Sequence, residues 1–289
     1  EPRLSLNFKP SENFSIKAGY NKGFQFLNQI SNTASSTPVD VWQLSGAYTE
    51  PQTSDNYSLG FFGKVLNAKM DVGVEAFYRD QNAIVEYRDF PDLILNEFLE
   101  RDLVDGIGRA YGAELNISKK GNTQFDFNYT YSRSERKVEA TSTQRAVNGG
   151  DWFSSNYDKP HVLNFNMSRK VKEKASLSVN FTYSTGRPLT APISNFTVDN
   201  VRNIPIFSER NQFRIPSYHR LDIAYTVGPF LNKSGKVESS ITLSVYNLYN
   251  RKNAYSVFFR QRPFQRLNTF RVATLGSIFP AVTYNFKFK

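Results

Sequence analysis

The sequence predicts an all-β chain, folded as an antiparallel transmembrane β-barrel of the outer-membrane type, on three observations. Apolar and polar residues alternate strictly in about eleven segments, so each segment carries one apolar and one polar face. Short and long connections alternate between those segments, the layout of a barrel with tight turns at one rim and large loops at the other. Phe and Tyr are abundant, at 25 and 16 of 289 residues, yet no stretch reaches 18 consecutive apolar residues. That excludes a membrane-spanning helix but not a barrel strand, which shows lipid only every second residue.

The segments follow in order. Leu4, Leu6 and Phe8 mark a strand over 3–9, and Phe14, Ile16, Ala18 and Tyr20 one over 14–25. Tyr57, Leu59 and Phe61 define 53–65; Met70, Val72, Val74, Ala76 and Tyr78 define 69–87. Tyr111 to Ile117 and Phe125 to Tyr131 set the apolar faces of 106–119 and 122–136. Leu163, Phe165 and Met167 give 161–170, and Leu177, Val179, Phe181 and Tyr183 give 174–186. Leu221, Ile223 and Tyr225 give 217–227, Ile241, Leu243 and Val245 give 236–250, and Val282, Tyr284, Phe286 and Phe288 end a strand over 270–289. The one segment with a helical look is 93–103, inside a loop. A soluble sandwich also alternates, but the strand lengths, the Ser, Thr and Asn content of the polar faces and the aromatics at strand ends favour a membrane wall with a wet interior and interfacial girdles.

Chemistry is sparse. The chain has no Cys, which excludes disulfides and thiolate chemistry, and only two His. His161 and His219 share the parity of the apolar residues that follow them, so both point outward at the rim. No set of inward Ser, His and Asp residues suggests an enzyme. Asp71, Glu75, Glu114, Asp126 and Asp222 have inward parity, and with Arg79, Arg109, Arg133 and Arg220 they read as a charged inner wall. No metal or cofactor site is indicated.

The net charge is +10, and residues 251–289 hold eight basic residues and no acid. Arg260, Arg262 and Arg266 lie in the last long loop, and Arg202 and Arg210 in the one before it. They suit an anionic ligand or an anionic surface. Basic residues on barrel loops, with no binding-domain motif, exclude nucleic acid as a partner. The first long loop offers Trp42, Leu44 and Tyr48 for stacking, and its 31–38 stretch reads as flexible. Loop 88–105 holds Phe90, Leu93, Ile94, Leu95, Phe98 and Leu99, an apolar set that expects burial against something.

Several stretches carry a family resemblance. They are Asp55-Asn56-Tyr57 within 50–60, Tyr111-Gly112-Ala113-Glu114 within 108–115, Asp158-Lys159-Pro160-His161 within 157–164, Tyr218-His219-Arg220-Leu221-Asp222 within 214–222, Tyr246-Asn247-Leu248-Tyr249-Asn250-Arg251, and Tyr284-Asn285-Phe286 within 279–288. In this order and spacing the chain resembles the C-terminal barrel half of TonB-dependent outer-membrane transporters of Bacteroidetes type. The departure is at the end, where Lys289 follows the aromatic Phe288.

The resemblance implies a 22-stranded barrel with an N-terminal plug, energised import of a scarce ligand (a metal chelate, cofactor, peptide or glycan) through the TonB–ExbB–ExbD system, and contact with lipopolysaccharide and a surface lipoprotein lid. Residues 1–289 are then the C-terminal part of one barrel domain, with the plug and first half on a portion preceding Glu1. The other reading it leaves open is a non-transporting barrel subunit of a larger outer-membrane complex. An odd count of eleven antiparallel strands makes the first and last run the same way, so these two cannot pair as antiparallel neighbours.

Overall fold

The computed structural model describes residues 1–30, 41–67, 69–89, 91, 96–142, 144–198, 202–231, 236–260, 268–273 and 276–288. Eleven long strands form its wall: β1 (Arg3–Ser11), β2 (Phe14–Gln25), β3 (Gln52–Val65), β4 (Met70–Tyr87), β5 (Leu103–Lys119), β6 (Thr123–Lys137), β7 (His161–Lys172), β8 (Ala175–Ser184), β9 (Tyr218–Leu231), β10 (Val237–Tyr246) and β11 (Phe279–Phe288). Each pairs antiparallel with the next in sequence, and a short segment, Phe153–Ser154, adds to the upper end of β6. Among the described residues β1 pairs only with β2 and β11 only with β10. The sheet is therefore open, with its two edges parallel in direction, as the odd count requires.

The polarity of this wall is inverted relative to a water-soluble sheet. In β3, Tyr57, Leu59 and Phe61 are 49, 45 and 43 % exposed, while Gly60 between them is buried. In β10, Ile241 and Leu243 are exposed, while Thr242 and Ser244 are sheltered. The buried apolar residues all lie at or beyond the long-loop end, apart from Ala175. A sheet that shelters its hydroxyls and shows its apolar side chains fits lipid outside and water inside.

Register carries each face across strand boundaries. On the outward face Leu4, Tyr20, Tyr57, Tyr78 and Tyr111 lie opposite one another from β1 to β5. A second aromatic group continues the belt: the Tyr129 hydroxyl meets Nδ1 of His161 at 2.8 Å, and Tyr249 meets Nδ1 of His219 at 2.7 Å, with Tyr183 stacked on His219. Both histidines thus face outward within an aromatic girdle at the long-loop end, as their parity predicts. On the inner face the Phe62 ring lies flat over two glycines. A Cβ at Gly60 would meet it at 2.6 Å and one at Gly73 at 2.9 Å. Lys17 rests 4.7 Å from the centre of the same ring.

Three expectations need correction. Arg109 and Arg133 do not line the inner wall. Arg133 lies opposite Tyr111 and Arg109 opposite Asp80 and Glu135, all of outward parity, and Glu135 pairs with both arginines above the girdle. Asp222 and Arg220 do face inward, 2.9 Å apart. The expected strand over 270–289 is two elements. Asn268–Ala273 folds back on Ala254–Arg260 as a loop hairpin, and only Phe279–Phe288 joins the wall. The expected strand over 236–250 stops at Tyr246, because Asn247 adopts φ 54° and its side chain is buried as the pivot of a turn. Its amide donates to the carbonyl oxygen of Arg251 and accepts from the Arg251 N–H, both at 3.0 Å. The helical-looking segment is one 3₁₀ turn at Leu99–Asp102 leading into β5; Leu93, Ile94 and Leu95 lie outside the described residues.

The inverted polarity has a direct test. Val179→Arg, on the outward face of β8, should destabilise the membrane-assembled protein by about 2–4 kcal/mol in denaturant titrations, and Asn180→Arg by far less. Equal losses at the two positions would reverse the assignment of faces.

Candidate functional site

The long-loop end is where side chains converge. It is built on the β4–β5 hairpin, which outgrows the neighbouring strands. A bulge at Ala83, with φ 53°, shifts the register between Gln81 and Ile84. Beyond it Ile84, Val85, Glu86 and Tyr87 are all buried, so both faces of the extension are covered. On one side Val85 and Tyr87 pack with Ile30, Val41, Leu99 and Leu103. On the other Val104 packs with Val138, Val147 and Phe153. These clusters fasten the first three long loops to the hairpin by burying apolar surface.

Glu86 lies within this apolar cover, so its charge needs partners. Arg136 of β6 reaches it at 2.8 Å and Arg210, from the fourth long loop, at 3.1 Å. The Glu86 and Arg210 side chains are 3 and 6 % exposed. Arg210 also donates to the Tyr87 carbonyl oxygen at 2.5 Å, pairs with Asp89 at 2.9 Å and stacks 4.1 Å from the Tyr87 ring centre. Its backbone is held reciprocally: its N–H donates to Oδ1 of Asn148 at 2.8 Å and its carbonyl accepts from Nδ2 of Asn148 at 3.0 Å.

A parallel clasp joins the third and fourth loops lower down. Asp158 is fully buried, accepts from the Ser134 N–H at 2.7 Å and is ion-paired with Arg214. Arg214 also donates to the carbonyl oxygens of Asp158 and Gly186 at 2.9 and 3.1 Å. Gly186 is required here, since a Cβ would lie 1.7 Å from the Ile215 carbonyl oxygen. Asp105, opposite Val85 on the hairpin extension, has its carboxyl pushed up by partial desolvation and by the nearby Glu50 charge.

The predicted site residues divide by environment. Trp42 and Tyr48 are 57 and 81 % exposed. Trp42 sits in the hairpin of Leu27–Ile30 with Val41–Leu44, whose other face supplies Ile30 and Val41 to the apolar cluster. The same hairpin is tied outward by Gln43 to Glu100 at 3.2 Å and by Tyr157 to Gln29 at 3.2 Å. Arg260 is exposed at the end of its loop strand. Arg202 opens the second strand of the hairpin Pro192–Val198 with Arg202–Phe207; its side chain, like all of Arg262, Arg266, Phe90 and 31–40, lies outside the described residues. Arg210 is enclosed, with its charge already engaged. Leu99 is packed as the apolar character of its loop predicts, while Phe98 stays exposed under Arg101.

Sequence reasoning passed over Glu86, Asn148 and the pairing of Asp158 with Arg214. Glu86 had a signal, a lone acid in an apolar strand end, and Asp158 and Arg214 lie inside stretches already singled out. Among the described residues no group of three or more His, Asp or Glu is placed to hold a metal ion. The arrangement is a clasped platform that displays Trp42 and Tyr48 to solvent, with Arg260 exposed on a separate loop hairpin.

Removing Arg210 (Arg210→Ala) leaves the buried Glu86 to Arg136 alone and the Asp89 and Tyr87 contacts unmade, and should cost about 1–3 kcal/mol in the loop assembly. Hydrogen exchange should rise across 138–160 and 205–215, with β7 and β8 unchanged. Unaltered protection in both loops would show that Arg210 is not their clasp.

A family model described as TonB dependent receptor-like, beta-barrel, matches residues 1–248. No curated protein matches the sequence. Similar solved structures include the ferric yersiniabactin uptake receptor FyuA from Yersinia pestis, 14 % identical with a TM-score of 0.61, over 99 % of this chain and 37 % of that one. The siderophore receptor PiuA from Acinetobacter baumannii is 14 % identical, TM-score 0.60, over 98 % of this chain and 35 % of that one. The ferric-catecholate import receptor Fiu from E. coli K12 is 15 % identical, TM-score 0.59, over 99 and 34 %. At these identities the likeness is one of fold, and the chain spans about a third of each receptor's length.

Proposed function

The chain belongs to the TonB-dependent receptor-like β-barrel family, and on that premise we propose that it is the C-terminal half of an outer-membrane importer whose long loops capture an anionic metal chelate. Family membership places the wall in the outer membrane of a Gram-negative bacterium. The long-loop end then lies outside the cell, and the open edges at β1 and β11 pair with a further barrel portion of about eleven strands. Open edges in hydrocarbon would leave backbone groups unsatisfied at several kcal/mol each, which favours this completion. A plug within the completed barrel and the TonB–ExbB–ExbD system would supply gating and energy.

The observation that carries the ligand reading is the long-loop end itself. The exposed aromatics stand on a first loop packed onto the hairpin through Ile30 and Val41, beside loops clasped by buried ion pairs, so this part of the capturing surface is preorganised; the exposed Arg260 stands on a separate loop hairpin. The basic excess of 251–289 favours an anion. A ferric chelate fits that chemistry, and three fold neighbours are described as receptors for siderophores or ferric chelates. Lipopolysaccharide is the competing anion for these arginines, and the apolar loop 88–105 is the place where a surface lipoprotein would dock.

The chain has two tryptophans, Trp42 and Trp152. Trp152 is shielded by Arg109, 4.1 Å from its ring, and serves as an internal reference. In the full receptor, titration with ferric chelates should quench Trp42. The signal should vanish in Trp42→Phe, and the affinity should fall with salt and with joint neutralisation of Arg260, Arg262 and Arg266 to Gln, because exposed charges are screened within about 8 Å at physiological ionic strength. Affinity independent of salt and of these arginines would remove the anion from the proposal. For the barrel half, Leu6→Cys and Tyr284→Cys should form no disulfide with each other in the membrane; an efficient cross-link would show β1 closing on β11 and overturn the half-barrel reading.

A further inference from the structure

The opposite rim carries a feature that ligand capture does not use. Three adjacent short turns, at 66–69, 120–122 and 172–175, and the strand ends beside them hold Lys69, Lys119, Lys120, Arg169, Lys170, Lys172 and Lys174 against Glu173 in the turns and the inward-facing Asp71. Backbone hydrogen bonds stitch these turns side by side: the Lys120 N–H donates to the Lys69 carbonyl oxygen at 3.1 Å, and the Lys170 N–H to that of Asn122 at 2.9 Å. All but Lys119 are exposed, and Lys119 is half-exposed. The described ion pairs of the chain involve none of the seven. Like charges held together repel, so an external anion that neutralises them is favoured at this patch.

We propose that this rim is a docking surface for the phosphate headgroups of anionic phospholipids in the leaflet at the short-turn end. Parity selects lipid over an acidic protein. Lys119 ends the outward row of Tyr111, Ala113, Leu115 and Ile117, and lies opposite Phe125 and Met70. Arg169 ends the outward row of Leu163, Phe165 and Met167, and lies opposite Leu177. Both cations therefore sit where the lipid-facing wall meets the headgroups, a position from which their aliphatic stems cover apolar surface while the charges reach phosphate. The remaining five extend the patch across the turns. Juxtamembrane cations of this kind bind anionic lipid additively, and the attraction is lost within a Debye length. The proposal rests on the membrane placement of the family but not on what the receptor transports.

The test uses the full receptor reconstituted in vesicles of phosphatidylethanolamine with a minor fraction of phosphatidylglycerol, bearing a fluorescence acceptor on the latter lipid. Energy transfer from the protein should report several-fold enrichment of phosphatidylglycerol around it, reduced by salt. The variant with Lys69, Lys119, Lys120, Arg169, Lys170, Lys172 and Lys174 all changed to Gln should lose the enrichment, and Lys119→Gln with Arg169→Gln should lose a large share of it. The smaller variant guards against misassembly of the larger. Neutralising Arg251, Lys252, Arg260 and Arg271 at the other rim should leave enrichment at the short-turn leaflet unchanged. Wild-type enrichment no greater than that of the seven-fold variant would overturn the proposal. So would enrichment insensitive to the Lys119 and Arg169 changes, or binding of a polyglutamate probe to the rim with no lipid preference.

Discussion

The rest of this structure depends on one constraint: backbone N–H and C=O groups inside hydrocarbon have no water to satisfy them, so each strand must give its hydrogen bonds to a neighbour. The wall meets it with antiparallel pairs in register, from sixteen pairs between β4 and β5 to seven between β1 and β2. Once every strand is committed to its neighbours, side chains have only two directions. The period of two then decides which of them meets lipid and which meets water. The same constraint makes the open edges at β1 and β11 the most consequential feature of the chain, because an edge is tolerable in water and expensive in lipid.

Stability is therefore distributed unlike that of a soluble domain. The wall has no hydrophobic core of its own, and its apolar residues wait for the bilayer. The cores lie at the long-loop end, around Val85 and Tyr87 on one side of the β4–β5 extension and Val104, Val138 and Phe153 on the other. There the protein stands in water and behaves conventionally. Apolar burial assembles the loops, and buried charges are matched rather than excluded. Glu86 with Arg136 and Arg210, and Asp158 with Arg214, tie loops that are far apart in sequence. Such pairs add little net energy compared with apolar packing, but they admit few alternative geometries. That is the property a capturing surface on loops requires.

Charge is also divided by height. Arginine predominates at the long-loop end, partly locked in clasps and partly displayed. Lysine dominates the short turns. Arginine's planar fork suits bidentate pairing with carboxylates, as at Glu86 and Asp158, whereas lysine's mobile point charge suits a fluid array of headgroups. The two rims thus carry the same sign of charge in different settings.

The sequence by itself determined the wall. Alternation located all eleven strands and most of their ends, and parity alone placed His161 and His219 in the outward girdle, because a residue's face depends only on its distance along the strand. It determined less where local and distant signals compete. The run through Phe270 and Val272 reads as one strand with Val282 and Tyr284, and only the pairing of Asn268–Ala273 with Ala254–Arg260 separates them. Arg109 and Arg133 were read as partners for inward acids although they share the parity of Tyr111 and Tyr131, and the register, opposite Asp80 and Tyr111, sets them outward. The clasps were decided by tertiary structure alone. Arg210 and Glu86 are 124 residues apart, and whether an arginine in a loop meets solvent or a buried carboxylate depends on how two loops fold over a third element, for which no periodic pattern exists in the chain.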